Sequence, residues 1–257
     1  MRKSGALGAS FAVSGLGDIA LYQGRFQDAV RGLQDGAAVD IQLNNPDRAA
    51  RKLMTIAYVR LLQKQPSLAI DAAVSSLSNS RVAKVQFLAA RILVDAGQIE
   101  RARELAEKLR SEFEKEPQAY ATIVDGDIAL KTHNPREAVN LFVKANGLFD
   151  TWVGHFVLGR AYLEAGAFTQ SDSEFDRCIA RRGEALALFL DEEPTYGYFM
   201  PDVYYFQGRV REGMKSARFS ESYQKHLAIR GTSSEDAIAA EVRRRMIRDV
   251  SHTPESN

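Results

Sequence analysis

GRAYLEAGAFTQSDSEFDRC, residues Gly159–Cys178, decides how the chain is read. A small residue, Gly159, is followed three residues on by Tyr162 and seven on by Gly166. Five residues later comes a second small position, Ser171, then Phe175 and Cys178. Small and aromatic residues at helical spacing on both sides of a glycine predict two short antiparallel helices packed small face to large.

Five further stretches share this grammar. Each has a small anchor, a turn residue and a second small anchor: Gly17, Gly24, Ala29; Ala57, Lys64, Ala69; Ala90, Gly97, Ala102; Gly126, His133, Ala138; and Gly208, Lys215, Ser220. The first interval is seven residues and the second five in all six copies, a regularity that chance does not hold six times over. Successive anchors stand 40, 33, 36, 33 and 49 residues apart. No single hairpin of this kind buries its apolar face, so stability must come from stacking on neighbours. Gly24, Gly97 and Gly166 suit a left-handed helix end, and Pro135 suits the first turn of the helix after His133.

These copies, from about residue 10 to 230, resemble the tetratricopeptide repeat family, whose period is about 34 residues. The second copy lacks a turn glycine, and the family's proline near the end of the second helix is absent throughout. The resemblance implies an all-α fold: a right-handed superhelical α-solenoid of about six helix-turn-helix repeats. Two segments break the period. Asp40–Arg51 carries Asn44-Asn45-Pro46, and an insert spanning 184–201 runs from an acidic triplet through Tyr196, Tyr198 and Phe199 to Pro201. The longer run, 184–205, reads as a partly ordered loop. Beyond 230, Ser233 and Asp236 match a loose capping box, and Ile238, Val242, Met246 and Ile247 form an apolar stripe. That predicts a C-terminal capping helix over 231–250, with 251–257 a disordered tail.

Composition narrows the function classes. The 257 residues are 45% hydrophobic and 26% charged, with a net charge of +1, which gives no electrostatic case for nucleic acid. One cysteine, Cys178, excludes an intramolecular disulfide and a cysteine metal cluster. Met1-Arg2-Lys3 precedes an uncharged stretch too rich in Gly, Ala and Ser for a secretory leader, and no window suits a transmembrane helix. A cytoplasmic location is expected, or an extracytoplasmic one if the full-length protein carries a membrane anchor upstream.

No cofactor or metal is expected, and no catalysis. His133, His155, His226 and His252 have no ligand-like spacing, and no HExxH, GxxxxGK[ST] or GxSxG run is present. Cys178 fills a small-residue position and reads as an inert packing residue. What remains is the concave face, which in the repeat family is lined by the first helix of each pair. Its expected lining is Tyr58, Phe87, Arg91, Asp127, Phe156, Arg160, Tyr205 and Arg209, a mix of aromatics and arginines typical of binding hot spots. Tyr196, Tyr198 and Phe199 are expected to contact a partner from the insert. Ser14 and Asp18 stand where the family's carboxylate clamp would need Lys and Asn, which argues against that ligand.

The expected function is a non-catalytic scaffold for a protein or peptide. Structural self-assembly, as a homo-oligomer, is the alternative, and a hydrolase within the array stands further back. LFLDEEPTYGYFMPDVYYFQGRVREGMKS, SYQKHLAIRG and GDIALYQGRFQDAV are also similar to the repeat tails of bacterial multidomain signalling proteins. In those, a Ser/Thr kinase or transcriptional-regulator domain precedes the array. The resemblance implies a regulatory part of a larger polypeptide, in keeping with the absence of an obvious capping helix before the first copy.

Overall fold

The computed structural model describes the backbone of residues 2–189 and 196–250, and the side chains of 8–185 and 200–247. Among the described residues the secondary structure is entirely helical. The helices in chain order are α1 (Arg2–Tyr22), α2 (Phe26–Gln42), α3 (Pro46–Leu62), α4 (Pro66–Asn79), α5 (Ala83–Asp95), α6 (Ile99–Arg110), α7 (Lys115–Lys131), α8 (Pro135–Leu148), α9 (Trp152–Glu164), α10 (Phe168–Ala180), α11 (Tyr196–Gly213), α12 (Phe219–Arg230) and α13 (Ala237–Val250). A 3-10 helix, Arg182–Phe189, follows α10.

The turns explain the regular spacing. Gly24, Lys64, Gly97, His133, Gly166 and Lys215 all have positive φ, as the six expected turn positions require. At each, the next residue's N–H reaches back to a carbonyl five residues earlier, as from Arg25 to Ala20 (2.8 Å) and from Ala167 to Tyr162 (2.8 Å). This double-bonded helix end stops the helix and aims the chain back along it. A seventh turn of the same build lies at Asn44, with Asn45 N–H bonding to Asp40 O at 2.8 Å. Ala37, Asn44 and Ala49 carry the same seven-and-five spacing, so the Asp40–Arg51 break is a regular turn between α2 and α3.

In the first five hairpins packing follows residue size at an offset of sixteen. A Cβ built on Gly126 would lie 2.3 Å from Phe142, and one on Gly159 would lie 2.9 Å from Phe175, so the large ring occupies the volume that glycine vacates. Gly17 stands in the same way under Leu33. Where the anchor is Ala57 or Ala90, the residue sixteen on is Ala73 or Ala106, all fully buried. Two alanines together are smaller than glycine plus a phenyl ring, so the small pair fits where the helices approach more evenly.

Odd-numbered helices line the inside. From α1 to α11 each packs against the next odd helix as well as against its own partner, whereas the outer even-numbered helices chiefly meet their chain neighbours. The array curves until its ends meet: α1 packs against α11. At this seam the fully buried Arg230 donates to the carbonyls of Leu21 and Tyr22 (both 3.3 Å), and its guanidinium lies 5.6 Å from the Phe26 ring centre. Ser233 Oγ donates to Gly24 O at 2.6 Å, and Gln27 N–H donates to Glu235 Oε2 at 3.0 Å.

Several expectations are corrected at this end. The described part of the insert is helical: α11 begins at Tyr196, because Met200 and Val203, one turn apart and fully buried, anchor its first turns in the core. The side chains of Tyr196, Tyr198 and Phe199 lie outside the described ones, as do residues 251–257. Ser220 is only half-buried; the buried residues of α12 are Ser222, Tyr223, His226 and Arg230. Asp236 alone caps α13, its Oδ1 accepting from Ile238 N–H (2.8 Å) and Ala239 N–H (3.2 Å), while the Ser233 hydroxyl is spent on the seam. Val242 of the α13 stripe is buried, but Ile247 is exposed.

Candidate functional site: the inner wall

The inner wall holds two adjoining cavities. One, of about 300 Å³, is bounded by Tyr58, Leu61 and Leu62 of α3, Leu88, Arg91 and Ile92 of α5, Phe156 of α9, and Asp202 and Phe206 of α11. The other, of about 470 Å³, lies toward α7 and is bounded by Asp127, Leu130, Lys131, His133 and Glu164. Asp95 and Arg160 belong to both and stand where the two meet. That α3, α5, α9 and α11 share one small cavity follows from the closure of the ring.

The wall is apolar on one side and charged on the other. Arg91 Nε donates to Asp127 Oδ2 at 2.7 Å, a pair with each side chain about 10% exposed. Lys131 Nζ donates to the Asp95 carbonyl at 2.8 Å. Asp95 is itself exposed at its surface yet walled by protein beyond its first contacts. Loss of surrounding water pushes its carboxyl pKa up, Arg160 opposes that push and Asp127 adds to it. The Arg160 guanidinium lies 5.2 Å from the Phe206 ring centre, a cation–π contact, and the residue borders both cavities. Tyr58 donates its hydroxyl proton to Asp202 Oδ2 at 2.8 Å.

The expected lining divides on inspection. Tyr58, Arg91, Asp127, Phe156 and Arg160 all border the cavities. Phe156 does so with little surface, being packed between Trp152 (5.6 Å) and Phe206 (5.8 Å). Phe87 is buried and stacked on Tyr120 at 4.2 Å, which makes it a joint between α5 and α7. Tyr205 is buried toward α12 and α13, where its hydroxyl donates to Glu241 Oε1 at 3.1 Å and accepts from Arg209 Nη1 at 3.2 Å. Arg209 accompanies it there, away from both cavities. Missed in the sequence were, among others, Leu88, Asp95, Asp202 and Phe206. Asp95 lies one turn after the expected Arg91 on α5 and Asp202 one turn before the expected Tyr205 on α11, so helical spacing points to those two, whereas Leu88 and Phe206 directly follow the expected Phe87 and Tyr205 and nothing in the spacing marks them.

Other candidates have structural explanations. Cys178 is fully buried, burial pushes its thiol far above the usual range, and its carbonyl accepts from Trp152 Nε1 at 2.9 Å. His155 is buried with its ring nitrogens 2.6 Å from Glu174 and 2.9 Å from Asp150. A further polar group, hidden from the sequence, joins α1, α2 and α3: Lys52 Nζ donates to Asp40 Oδ2 (2.7 Å) and to Ser10 Oγ (3.0 Å), with Lys52 and Asp40 fully buried. Among the described residues no group of three His, Cys, Asp or Glu could hold a metal ion, and no helix is long and apolar enough to cross a membrane.

No protein-family model matches the chain, and no curated protein matches it. Among solved structures it is similar to the Cut9–Hcn1 hetero-tetramer of the APC/C, at 14% identity over 86% of this chain and 39% of that one, with a TM-score of 0.50. It is also similar to PilF of Pseudomonas aeruginosa (15% identity, 94% of this chain and 99% of that one, TM-score 0.47). A tetratricopeptide repeat protein of Parabacteroides merdae matches at 13% identity over 94% of this chain and 88% of that one, TM-score 0.46. At such identities the likeness is one of fold, and it agrees with the geometry above: the chain is an all-α solenoid of stacked helical hairpins.

Proposed function

We propose that the chain is a non-catalytic interaction scaffold that holds a peptide or partner protein at its inner wall. The observation that carries this reading is the meeting of the two cavities at Arg160. A guanidinium held over Phe206 offers its N–H fork beside an apolar hollow formed by Leu61, Leu88 and Ile92. Such a hollow takes one bulky side chain of a partner, and the fork takes a carbonyl or carboxylate next to it. Fold likeness to repeat scaffolds supports protein binding in general terms. The similarity of its last third to the tails of bacterial signalling proteins supports a regulatory role within a longer polypeptide.

Selection of a random peptide library on the folded chain tests the reading. Selected peptides are expected to lose about tenfold in affinity on Arg160→Ala, as when a charge-assisted hydrogen bond is removed. Peptides that bind Arg160→Ala and Phe206→Ala as well as the wild type would place the contact elsewhere. Self-assembly is the second reading, favoured by Leu16 and Ile19, which stand exposed on α1 at 67% and 51%. A monomer in sedimentation at high concentration, unaltered by Ile19→Lys, would remove it. A hydrolase ranks last: of the inner acidic residues, Asp127 is engaged by Arg91.

A further inference from the structure

The connection between α6 and α7 carries Phe113, which at 95% is the most exposed large apolar side chain among the described residues. Single exposed hydrophobes are ordinary, but a phenyl ring left almost wholly in water does nothing for the fold of its own chain. The backbone that presents it is held in place. Ser111 Oγ donates to Lys108 O at 2.7 Å, Ser111 N–H donates to Glu107 O at 3.0 Å, and Gln118 Nε2 of α7 donates back across the loop to Glu112 O at 2.8 Å. An aromatic anchor fixed in this way binds without a large ordering cost.

Beside this knob lies a hollow of about 540 Å³, where α4 ends, α5 begins and α6 ends. Its apolar lining is the half-buried Leu77 and the buried Leu105, and its basic lining is the exposed Arg81 and Lys108. Ser111 and Glu112, the two residues just before Phe113, line it as well. The ring does not fill the hollow of its own chain, being 95% exposed.

Charge sorts the same way. Phe113 stands between Glu112 and Glu114, both exposed. Neighbouring charges are matched within the chain, Lys84 with Glu116 at 3.6 Å and Arg110 with Glu107 at 2.6 Å. Among the described residues no ion pair engages Arg81, Lys108, Glu112 or Glu114. An aromatic ring with acidic flanks thus adjoins an apolar hollow with basic edges. When complementary features lie side by side on one surface, a two-fold axis between them brings each to its counterpart on a second copy. An unrelated partner would have to match only one of the two features, whereas a second copy uses both.

We infer that two copies of the chain pair through this face, each inserting Phe113 into the other's hollow, with Glu112 and Glu114 set against Arg81 and Lys108. No residue of this face borders the inner cavities, so pairing leaves the inner wall free and does not rest on its binding a partner. Leu16 and Ile19 of α1 take no part. An aromatic side chain buries about 150–250 Å², so two rings fall well short of the about 1,200–2,000 Å² of a tight complex. The dimer is a reversible one.

Sedimentation equilibrium of the full chain reads the pairing, and the wild type is expected to reach a dimer and stop there. Phe113→Ala removes a ring that touches almost nothing in its own chain. Circular dichroism should therefore stay the same while the dimer dissociation constant rises about tenfold or more. Charge then decides who the partner is. One variant combines Arg81→Glu with Lys108→Glu, and a second combines Glu112→Lys with Glu114→Lys. Each alone sets like charges against each other in both contacts and is expected to be a monomer. Mixed in equal amounts, the two restore both contacts and form a heterodimer. A wild type that stays monomeric at its highest soluble concentration overturns the pairing. So does a dimer that keeps its strength in Phe113→Ala, one that is lost on Ile19→Lys instead, or a mixture that fails to associate. None of these results bears on the inner wall, which the peptide selection decides separately.

Discussion

The fifth hairpin, α9–α10, and the sixth, α11–α12, start from the same pattern and end with different interiors. In the fifth, Phe175 lies over Gly159 sixteen residues away, Ser171 Oγ donates to Gly159 O at 2.7 Å, and α10 starts two residues after Gly166. In the sixth, α12 starts four residues after Lys215, and the ring over Gly208 is Tyr223, fifteen residues on. The buried face there is mixed, with polar groups set beside the fully buried Met200, Val203, Val210 and Tyr223. Arg211 donates to Ser222 Oγ (3.1 Å) and Asp172 (3.0 Å), and Gln207 Nε2 donates to Asp176 at 2.7 Å. The fifth hairpin has repeats on both sides and packs like the core of a larger domain. The sixth must meet α10 on one side and the N-terminal hairpin on the other, and it does so with directional bonds. Position in the array, rather than the repeat pattern, sets the chemistry of the interior.

Substitutions can break this contrast, and the largest effect is expected in the apolar hairpin. Phe175→Ala should cost about 4 kcal/mol by cavity formation, against about 1 kcal/mol for Tyr223→Phe, which loses one hydrogen bond to Glu212 (2.7 Å). Urea unfolding measures both, and equal costs would erase the distinction. Arg230→Met comes next, at about 3 kcal/mol, because Asp202 and Asp236 are left facing each other without their cation. A cost near zero would mean that those carboxylates are solvated in the native state.

Smaller changes sharpen the comparison. A Cβ on Gly208 would lie 2.3 Å from Tyr223, whereas one on Gly159 would lie 2.9 Å from Phe175. Gly208→Ala is therefore expected to cost about 2 kcal/mol and Gly159→Ala about 1 kcal/mol, read from thermal midpoints. The two hairpins should also separate by pH. Burial lowers the His226 pKa below its ordinary 6.5, with the bond to Pro201 O opposing the shift. The unfolded chain then takes up that proton first as pH falls, so stability is full above about pH 6.5 and declines as pH drops toward the folded value. His226→Gln should flatten that part of the curve; an unchanged slope between pH 7 and 5 would exclude His226 as its source. Cys178 of the fifth hairpin, with its thiol pushed up by burial, contributes nothing in this window. The smallest effects lie at the turns. Gly166→Ala should lose about 1 kcal/mol, and Lys215→Gly, relieving positive φ on a side-chain-bearing residue, should gain about 0.5 kcal/mol.

What could be read from the sequence was what is local. The turn positions, the small anchors and the helical fold all depend on residues within one hairpin, and Lys64, His133 and Lys215 were identified as turns without any glycine to mark them. Asn44 obeys the same rule, and the Asp40–Arg51 break is one more turn of this kind. Groove lining was only partly legible. Helical spacing gives the angle of Phe87 or Tyr205 about its own helix, but whether that direction meets solvent or a neighbour depends on Tyr120 or α13. The meeting of residues near 24 and near 233 was not legible at all. It results from small rotations accumulated over six repeats, none of which carries a mark of the total.

That meeting has a consequence for how the molecule loses its structure. A row of repeats has two ends from which helices can fray, and damage near an end is absorbed there. Joining Gly24 to Ser233 removes both ends, so a hairpin can leave only by breaking two interfaces at once. Unfolding should then be a single cooperative event as long as the seam holds. New chain termini should be tolerated at an outer turn such as Gly97, because the circle keeps track of neighbours whatever the order in which they are synthesised.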